Sequence, residues 1–300
     1  MKIIAATGQP DIATVYLAEM ANGKYIEFVE SVQPPIPKEE KWVLIVSTLY
    51  GCPVGCAICD AGGWYEGRLS KEDILAQIDY VVTKYFPNRQ VPVKKFKIQF
   101  ARMGDPALNP HVLDVLERLP FLYNAPGLMA SISTIAPEGS DAFFKHLPFV
   151  KCRHYSNGRF QLQFSIHTTD TELRDRLIPV KKWSFKQIAD YCEGLYTTGD
   201  RKTTLNFALA QNVPISPDIM TQYFDPYIFA IKITPVNPTF KAAENNIING
   251  VNLDSPGEEP PIVNILRREG YEVILSIGEL EENKIGSNCG QYVKRMMANS

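Results

Sequence analysis

The sequence has little of three things: cysteine, net charge and long apolar segments. Six cysteines in 300 residues are too sparse for a disulfide-stapled secreted scaffold. The chain has no run of about 18 apolar residues that could cross a membrane, and its start lacks the apolar segment of a signal peptide. We therefore expect a cytoplasmic protein without a membrane partner, in which clustered cysteines indicate metal binding or catalysis.

Acidic and basic residues nearly balance. Lysine and arginine number 31 against 33 aspartates and glutamates, which gives a formal charge of −2. A broad basic surface for nucleic acid is therefore not expected. The segment 241–260 is locally acidic, with Lys241 against Glu244, Asp254, Glu258 and Glu259. We expect such a loop to repel phosphate.

Hydrophobic patterning separates a short N-terminal part from a longer repeating part. Residues 13–32 predict a β-hairpin with its turn at Ala21, Asn22 and Gly23, and a proline-rich connector follows. From about residue 42, apolar strands alternate with helical patterns. The predicted strands cover 43–48, 95–101, 128–134, 160–166, 204–210, 228–234 and 271–277. The predicted helices cover 70–84, 109–119, 139–146, 184–196, 216–224 and 260–269.

This alternation predicts an α/β fold with parallel strands and right-handed crossovers. Because no glycine-rich dinucleotide fingerprint follows the first strand, we predict a partial or full barrel rather than an open doubly wound sheet. We divide the chain into an N-terminal β extension over residues 1–40 and a barrel over residues 41–300. In such a barrel, the loops after the carboxyl ends of the strands build the active site.

Three of the six cysteines lie within eight residues, directly after the first predicted barrel strand. Cys52, Cys56 and Cys59 have the spacing C-x3-C-x2-C on a loop that also contains Gly51 and Gly55. Three neighbouring thiolates suit a soft metal, and a four-iron cluster tolerates a missing protein ligand when another group binds the fourth iron. A zinc site with a distant fourth ligand and buried free thiols are the simpler alternatives. The spacing, the position and the glycines favour the cluster.

Polar residues also recur at the ends of the later predicted strands. Gly104 and Asp105 follow the second strand, where glycine lets the backbone approach a ligand and the carboxylate could accept from an ammonium group. Because the carboxyl ends of parallel strands meet at one end of a barrel, we expect these residues to share a site. Further polar residues at such positions are Ser133, Ser165, His167 and Asn237.

The cysteine spacing resembles that of the radical S-adenosylmethionine (SAM) superfamily. Further segments resemble the RlmN/Cfr family within it, whose members methylate an adenine ring carbon in RNA. They run from about residue 12 to 293 and include Met103-Gly104-Asp105-Pro106, Ser165-Ile166-His167 and the ending Cys289-Gly290-Gln291. The resemblance implies a partial (β/α)6 TIM-like barrel with a small N-terminal β-hairpin extension. It also implies a [4Fe–4S] cluster, SAM and an electron donor of the flavodoxin or ferredoxin type.

The resemblance further implies the roles of individual residues. Cys52, Cys56 and Cys59 would bind the cluster. Glu27 aligns with the family's proposed proton acceptor, and Cys289 aligns with the cysteine that carries the methyl group. The residues implied to contact SAM are Gly104, Asp105, Ser133, Ser165, Ile166, His167 and Asn237. In the implied reaction one SAM methylates Cys289, and a radical from a second SAM lets that carbon add to an electron-poor sp2 carbon.

The sequence departs from the family at several places. The cysteine that resolves the protein–substrate adduct belongs seven residues before Cys52, where this chain has Ile45. The usual glutamate of the SAM motif is Asp105, and only about 12 residues precede the match, where the family has a helical RNA-binding domain. With the charge balance, these departures predict transfer of a one-carbon unit through Cys289 to a small molecule or a peptide rather than to ribosomal RNA.

Three alternatives to this hypothesis stay open. The first is methylation of an RNA adenine, as in the family. The second is a radical SAM reaction without methyl transfer, such as hydrogen abstraction or rearrangement, in which replacing Cys289 by alanine would leave substrate conversion intact. The third is a non-catalytic iron–sulfur binding protein, which would release no 5′-deoxyadenosine from SAM.

Overall fold

The computed structural model of the protein describes residues 1–251, 259–276, 285–286 and 292–293. The strands in these ranges are β1 (Lys2–Gln9), β2 (Ala13–Glu19), β3 (Tyr25–Ser31), β4 (Trp42–Val46), β5 (Leu49–Cys52), β6 (Trp64–Arg68), β7 (Phe96–Phe100), β8 (Leu128–Thr134), β9 (Phe160–Ser165), β10 (Thr203–Leu209), β11 (Phe229–Pro235) and β12 (Glu272–Leu275). The α-helices are α1 (Lys71–Tyr85), α2 (His111–Leu122), α3 (Asp141–His154), α4 (Thr171–Leu177), α5 (Phe185–Leu195), α6 (Pro217–Tyr223), α7 (Phe240–Glu244) and α8 (Pro261–Arg268). One sheet has the order β1-β2-β3-β4-β7-β8-β9-β10-β11-β12, and β5 pairs separately with β6.

The first three strands extend the barrel sheet beyond β4. β2 and β3 pair antiparallel, which confirms the predicted hairpin. β3 also pairs antiparallel with β4, so the extension and the barrel share one continuous sheet. β1 is absent from the sequence prediction, because its side chains are mostly exposed and its apolar residues do not alternate with polar ones. The division of the chain at residue 40 stays a prediction.

The strands from β4 through β12 of this sheet run parallel to their neighbours, as the alternation of elements predicts. In β7, Phe96, Ile98 and Phe100 are fully buried in the main apolar core, whereas Lys97 and Gln99 are only half-buried. Burial of each large apolar side chain contributes about 1.5–3 kcal/mol relative to its exposed state. The strand face opposite this core is therefore free to carry polar groups.

The predicted helices are present, with boundaries that shift by a few residues. Ser70 and Ser184 form capping boxes at the starts of α1 and α5, each contributing about 1 kcal/mol. The largest difference is at α3, which continues through Pro148 to His154, whereas the pattern predicts an end at 146. Among the described helices, none is long and apolar enough to cross a membrane.

Four short elements escape the sequence pattern. β5 and β6 form a hairpin on either side of the cysteine loop, and the glycines of this region conceal any strand alternation. α4 and α7 are too short to show a helical period of apolar residues. Their capping signals are still recognisable, because Asp170 accepts from the N–H of Leu173 (2.9 Å) and Thr239 accepts from the N–H of Ala242 (2.9 Å).

Candidate active site

The cysteine loop connects β5 to β6. Cys52 ends β5, and the N–H of Cys59 donates to the carbonyl of Cys56 (3.1 Å), so the last two cysteines share one turn. A side chain at Gly62 would place its Cβ 2.7 Å from the Cα of Gly55. Packing therefore requires glycine at position 62, whereas a Cβ at Gly55 would meet open space and glycine is favoured there by the φ of +68°.

A buried aspartate fixes this loop against a distant part of the chain. The Asp60 carboxylate accepts hydrogen bonds from the N–H groups of Phe240 (3.0 Å) and Lys241 (2.9 Å) at the start of α7. On the other side, the N–H of Ala57 donates to the carbonyl of Leu177 at the end of α4 (2.9 Å). The loop is thus held between two short helices. Asp60 is missed by the sequence prediction, and its position directly after Cys59 was the one signal that could have found it.

The three thiols lie where a cation is needed to stabilise their ionised forms. Burial, together with repulsion from Cys59, raises the pKa of Cys52 to about 12. Burial also raises the pKa of Cys56 and Cys59. Thiolate sulfur is the preferred ligand of iron–sulfur clusters, whose cationic iron offsets the repulsion, so this donor set fits a cluster. In the described ranges no three Cys, His, Asp or Glu side chains have the geometry of a single-ion site.

A cavity of about 330 Å³ joins this loop to the carboxyl ends of the parallel strands. Cys56 and Cys59 form part of its wall. Polar side chains from the ends of the barrel strands line another part, and they include Gln99, Arg102, Ser133, Gln163, Ser165, His167, Asn206, Lys232, Thr234 and Asn237. The cysteine motif and the polar strand ends therefore meet in one cavity, at the position that a barrel fold favours for a site.

Four of the seven predicted SAM contacts line this cavity, namely Ser133, Ser165, His167 and Asn237. The Ser133 hydroxyl accepts hydrogen bonds from Gln163 (3.2 Å) and Gln99 (3.4 Å). These two glutamines are missed by the sequence prediction, although their polar side chains interrupt otherwise apolar strands. Ile166 is fully buried in the main core and does not line the cavity.

Gly104 and Asp105 lie beside the cavity and organise its edge. A side chain at Gly104, where φ is +89°, would collide with Leu49, so glycine is needed for packing. The Asp105 carboxylate accepts from the hydroxyl of Thr134 (2.8 Å) and from the N–H groups of Ile135 (2.7 Å) and Ala107 (2.9 Å). Burial raises the pKa of Asp105 to about 6, although these hydrogen bonds favour the charged form. Direct contact of either residue with SAM stays a prediction.

His167 has a left-handed backbone conformation, with φ of 64°. Its Nδ1 accepts a hydrogen bond from the N–H of Ala208 (3.2 Å), so the neutral ring carries its proton on Nε2. Burial, followed by repulsion from Arg174, lowers the pKa of His167 to about 4. At neutral pH the ring is therefore an uncharged N–H donor in the cavity wall.

A His167→Asn variant should remove an acid sensitivity of the wild type. Asparagine tolerates the left-handed conformation and does not titrate. Since the unfolded histidine binds a proton below its ordinary pKa and the folded one does not, the wild type loses stability as the pH falls. As the pH falls from about 7.5 to about 5.5, we expect the free energy of unfolding of the wild type to decrease by about 1 kcal/mol more than that of the variant. Thermal unfolding at both pH values measures this, and equal losses in the two proteins would contradict the neutral histidine.

Glu27 lies in β3 with its side chain fully buried. Its Oε1 is 2.9 Å from Nη2 of Arg102, and its Oε2 accepts from the N–H groups of Tyr292 (2.9 Å) and Val293 (3.2 Å). Burial raises the pKa of Glu27, and Arg102 with the two N–H groups opposes this. A role as proton acceptor stays a prediction, and Cys289 lies outside the described residues.

The chain is similar to known proteins in sequence and to a solved structure in fold. The chain is 32% identical over 271 residues to the dual-specificity RNA methyltransferase RlmN of Helicobacter hepaticus, covering 88% of this chain and 68% of that protein. It is 26% identical over 292 residues to a probable dual-specificity RNA methyltransferase RlmN of Desulfitobacterium hafniense, covering 94% and 75%. A crystal structure of a radical SAM methyltransferase from Sphaerobacter thermophilus matches with a TM-score of 0.73 at 18% identity, covering 97% of this chain and 80% of that one. No family model matches the chain.

The fold and the cysteine loop define a radical SAM methyltransferase, an enzyme that uses a [4Fe–4S] cluster and SAM. Within this class the chain belongs to the RlmN family. The expected α/β barrel fold is confirmed by the structural match.

The expected preference for a small molecule or a peptide is wrong, because the similar proteins are named RNA methyltransferases. That expectation rested on the departures from the family and on a count of charges along the sequence, and neither excludes RNA. Lys241 pairs with Glu244 (2.8 Å), and Glu259 of the acidic segment binds Arg267 of α8 (2.9 Å), which the count omitted.

Proposed function

We propose that this enzyme methylates an adenine ring carbon in RNA and that Cys289 carries the methyl group. Membership of the RlmN family and the names of the relatives support RNA as the substrate. The main structural support for the chemistry is that the cysteine loop and the polar strand ends line one cavity. We place the reaction in the cytoplasm, where a reducing environment keeps the cysteine ligands available.

Each set of residues in the cavity has a distinct task in this proposal. Cys52, Cys56 and Cys59 would hold the cluster, leaving one iron for SAM. The cluster and SAM supply a methyl group and a hydrogen-abstracting radical when they are bound. His167 would donate its Nε2–H to SAM, and Ser133, oriented by the two glutamines that donate to it, would supply a further polar contact.

The chain also limits how far Cys289 can lie from the cavity. The carbonyl of Gly286 accepts a hydrogen bond (2.8 Å) from Arg102, which lines the cavity. Cys289 follows Gly286 by three residues, and three residues of extended chain span at most about 11 Å. This limit supports a Cys289 that can reach SAM and the substrate.

The second thiol of the family's reaction is not replaced nearby in the described part of the chain. Ile45, at the position of the resolving cysteine, lines the cavity. Cys152 is exposed on α3 and Cys192 is buried in α5, and neither lines the cavity. A test of the proposal must therefore look for a covalent protein–RNA adduct as well as for methylated RNA.

The experiment is to incubate the cluster-loaded enzyme with SAM, a reductant and unmodified ribosomal or transfer RNA. We expect a methyladenosine among the digested nucleosides, or an RNA adduct on the Cys289 peptide, both detected by mass spectrometry. The same RNA incubated with enzyme and SAM but without the reductant is the control and should give neither product. Formation of 5′-deoxyadenosine without either RNA product would overturn the proposed substrate and leave a radical reaction of another kind.

A further inference from the structure

We infer that the buried Glu27–Arg102 ion pair is a positioning device that seats the Cys289 segment at the cavity. The inference rests on the proposed role of Cys289 as the methyl carrier. Glu27 belongs to β3 of the N-terminal extension, and Arg102 follows β7 of the barrel. The pair therefore links two parts of the sheet to the end of the chain.

The pair contacts the backbone on both sides of Cys289. Arg102 donates from Nη2 to the carbonyl of Gly286 (2.8 Å), which precedes Cys289 by three residues. Glu27 accepts from the N–H groups of Tyr292 (2.9 Å) and Val293 (3.2 Å), which follow it. Both ends of a short stretch of chain that contains Cys289 are thus held by one ion pair.

Within the same region, further contacts tie the two anchored ends together. The hydroxyl of Tyr292 donates to the carbonyl of Ile285. Ile285 and Tyr292 also pack in a small apolar cluster with Val29 and with Ile45, which lines the cavity. The anchored ends therefore adjoin the cavity wall.

The burial of the pair argues that its geometry is specific. The side chains of Glu27 and Arg102 are 0% and 1% exposed. A buried ion pair is tolerated when its remaining hydrogen-bonding groups are satisfied, and removal of one partner leaves an uncompensated charge. Here further partners of the pair are backbone groups of Gly286, Tyr292 and Val293, so docking of these residues adds hydrogen bonds to both charged groups.

The location of Arg102 also connects this device to SAM. Arg102 lines the cavity and stands two residues before Gly104, at the edge that carries the predicted SAM motif. Displacement of reacting groups by about 1 Å can cost about 100-fold in rate. The pair would thus position the residues on both sides of Cys289 relative to SAM bound in the cavity.

The test compares an Arg102→Met variant and a Glu27→Gln/Arg102→Met variant with the wild type, all loaded with cluster. Intact-protein mass spectrometry measures the rate at which SAM methylates Cys289. We expect this rate to fall by about 100-fold in both variants. We expect alkylation of Cys289 by iodoacetamide to become at least about tenfold faster, because its segment is no longer seated. The double variant removes both charges, so it retains the effect without leaving a bare buried carboxylate.

A Lys151→Met variant is the matched control. Lys151 forms a similarly buried ion pair with Asp200, and it lies in α3 away from the cavity lining. Loss of that pair should lower thermal stability and leave the two Cys289 measurements unchanged. Iron content, measured in every variant, reports whether the cluster site is intact.

The outcomes separate this inference from the proposed function. The positioning role is overturned if Cys289 is methylated and alkylated as fast in the double variant as in the wild type. If wild-type Cys289 is never methylated, the proposed function fails, and the alkylation rates still decide whether the pair seats the segment.

Discussion

A Cys56→Ser variant is expected to lose its four-iron cluster and, with it, more than about a thousandfold of its SAM cleavage. Cys56 lies in the wall of the cavity, and Cys59 shares its turn. Serine is a harder and much less acidic ligand, so it replaces a thiolate poorly on iron. With two cysteines left, one further iron loses its protein ligand.

Iron and sulfide analysis, the visible absorption of the cluster and 5′-deoxyadenosine release measure this effect. Cys152→Ser is the control, because Cys152 is exposed on α3 and lies outside the cavity wall. The control should match the wild type in all three measurements. An intact cluster and normal SAM cleavage in Cys56→Ser would show that the cysteine loop is not the cluster site.

Replacement of Cys289 by alanine should abolish methyl transfer and leave the cluster and SAM cleavage in place. The methyl group has no carrier in this variant, because alanine cannot be methylated by SAM. The loop that holds the cluster is anchored by Asp60 and α7, independently of residue 289. We therefore expect product formation to fall by more than about a thousandfold, while SAM is still cleaved without coupling to RNA and the radical takes its hydrogen atom from the reductant or buffer to give 5′-deoxyadenosine.

Radiolabelled methyl transfer to RNA and 5′-deoxyadenosine release, measured on the same samples, separate the two half-reactions. Cys152→Ala again shows the effect of losing an unrelated thiol. Conversion of substrate by Cys289→Ala at the wild-type rate would exclude the methyl-carrier role. That result would instead favour a radical reaction without methyl transfer.

Local sequence signals predicted the parts of the site that lie on single loops and strand ends. The cysteine spacing marked the loop, and strand ends with polar residues marked Ser133, Ser165 and His167. These signals work because a parallel strand orients its last residues towards one end of the barrel. The structure accordingly brings the loop and these side chains to one cavity.

Contacts between distant parts of the chain left no comparable signal. Glu27 and Tyr292 are 265 positions apart, and the partners of Asp60 are 180 and 181 positions away. Only tertiary packing brings such groups together, so neither local propensity nor spacing reveals them. The resemblance identified Glu27, but its pairing with Arg102 comes from the structure alone.

Charge was the weakest guide to function. A net charge sums groups that the fold neutralises, such as Glu259 against Arg267, with groups that face solvent. Recognition of a nucleic acid depends on the local potential where it binds, not on this sum. The position of a charge in the fold therefore has to be known before the charge can be used as evidence about the substrate.

The sheet that forms the barrel is open. Within the described residues, β1 and β12 are each paired along one edge only. The width of a closed barrel is set by its number of strands and their stagger, and it cannot change without breaking a ring of backbone hydrogen bonds. An open sheet has no such ring. In the proposed reaction on RNA, most of the polymer would therefore stay outside the end of this open barrel, and a single base turned out of its stack would enter it.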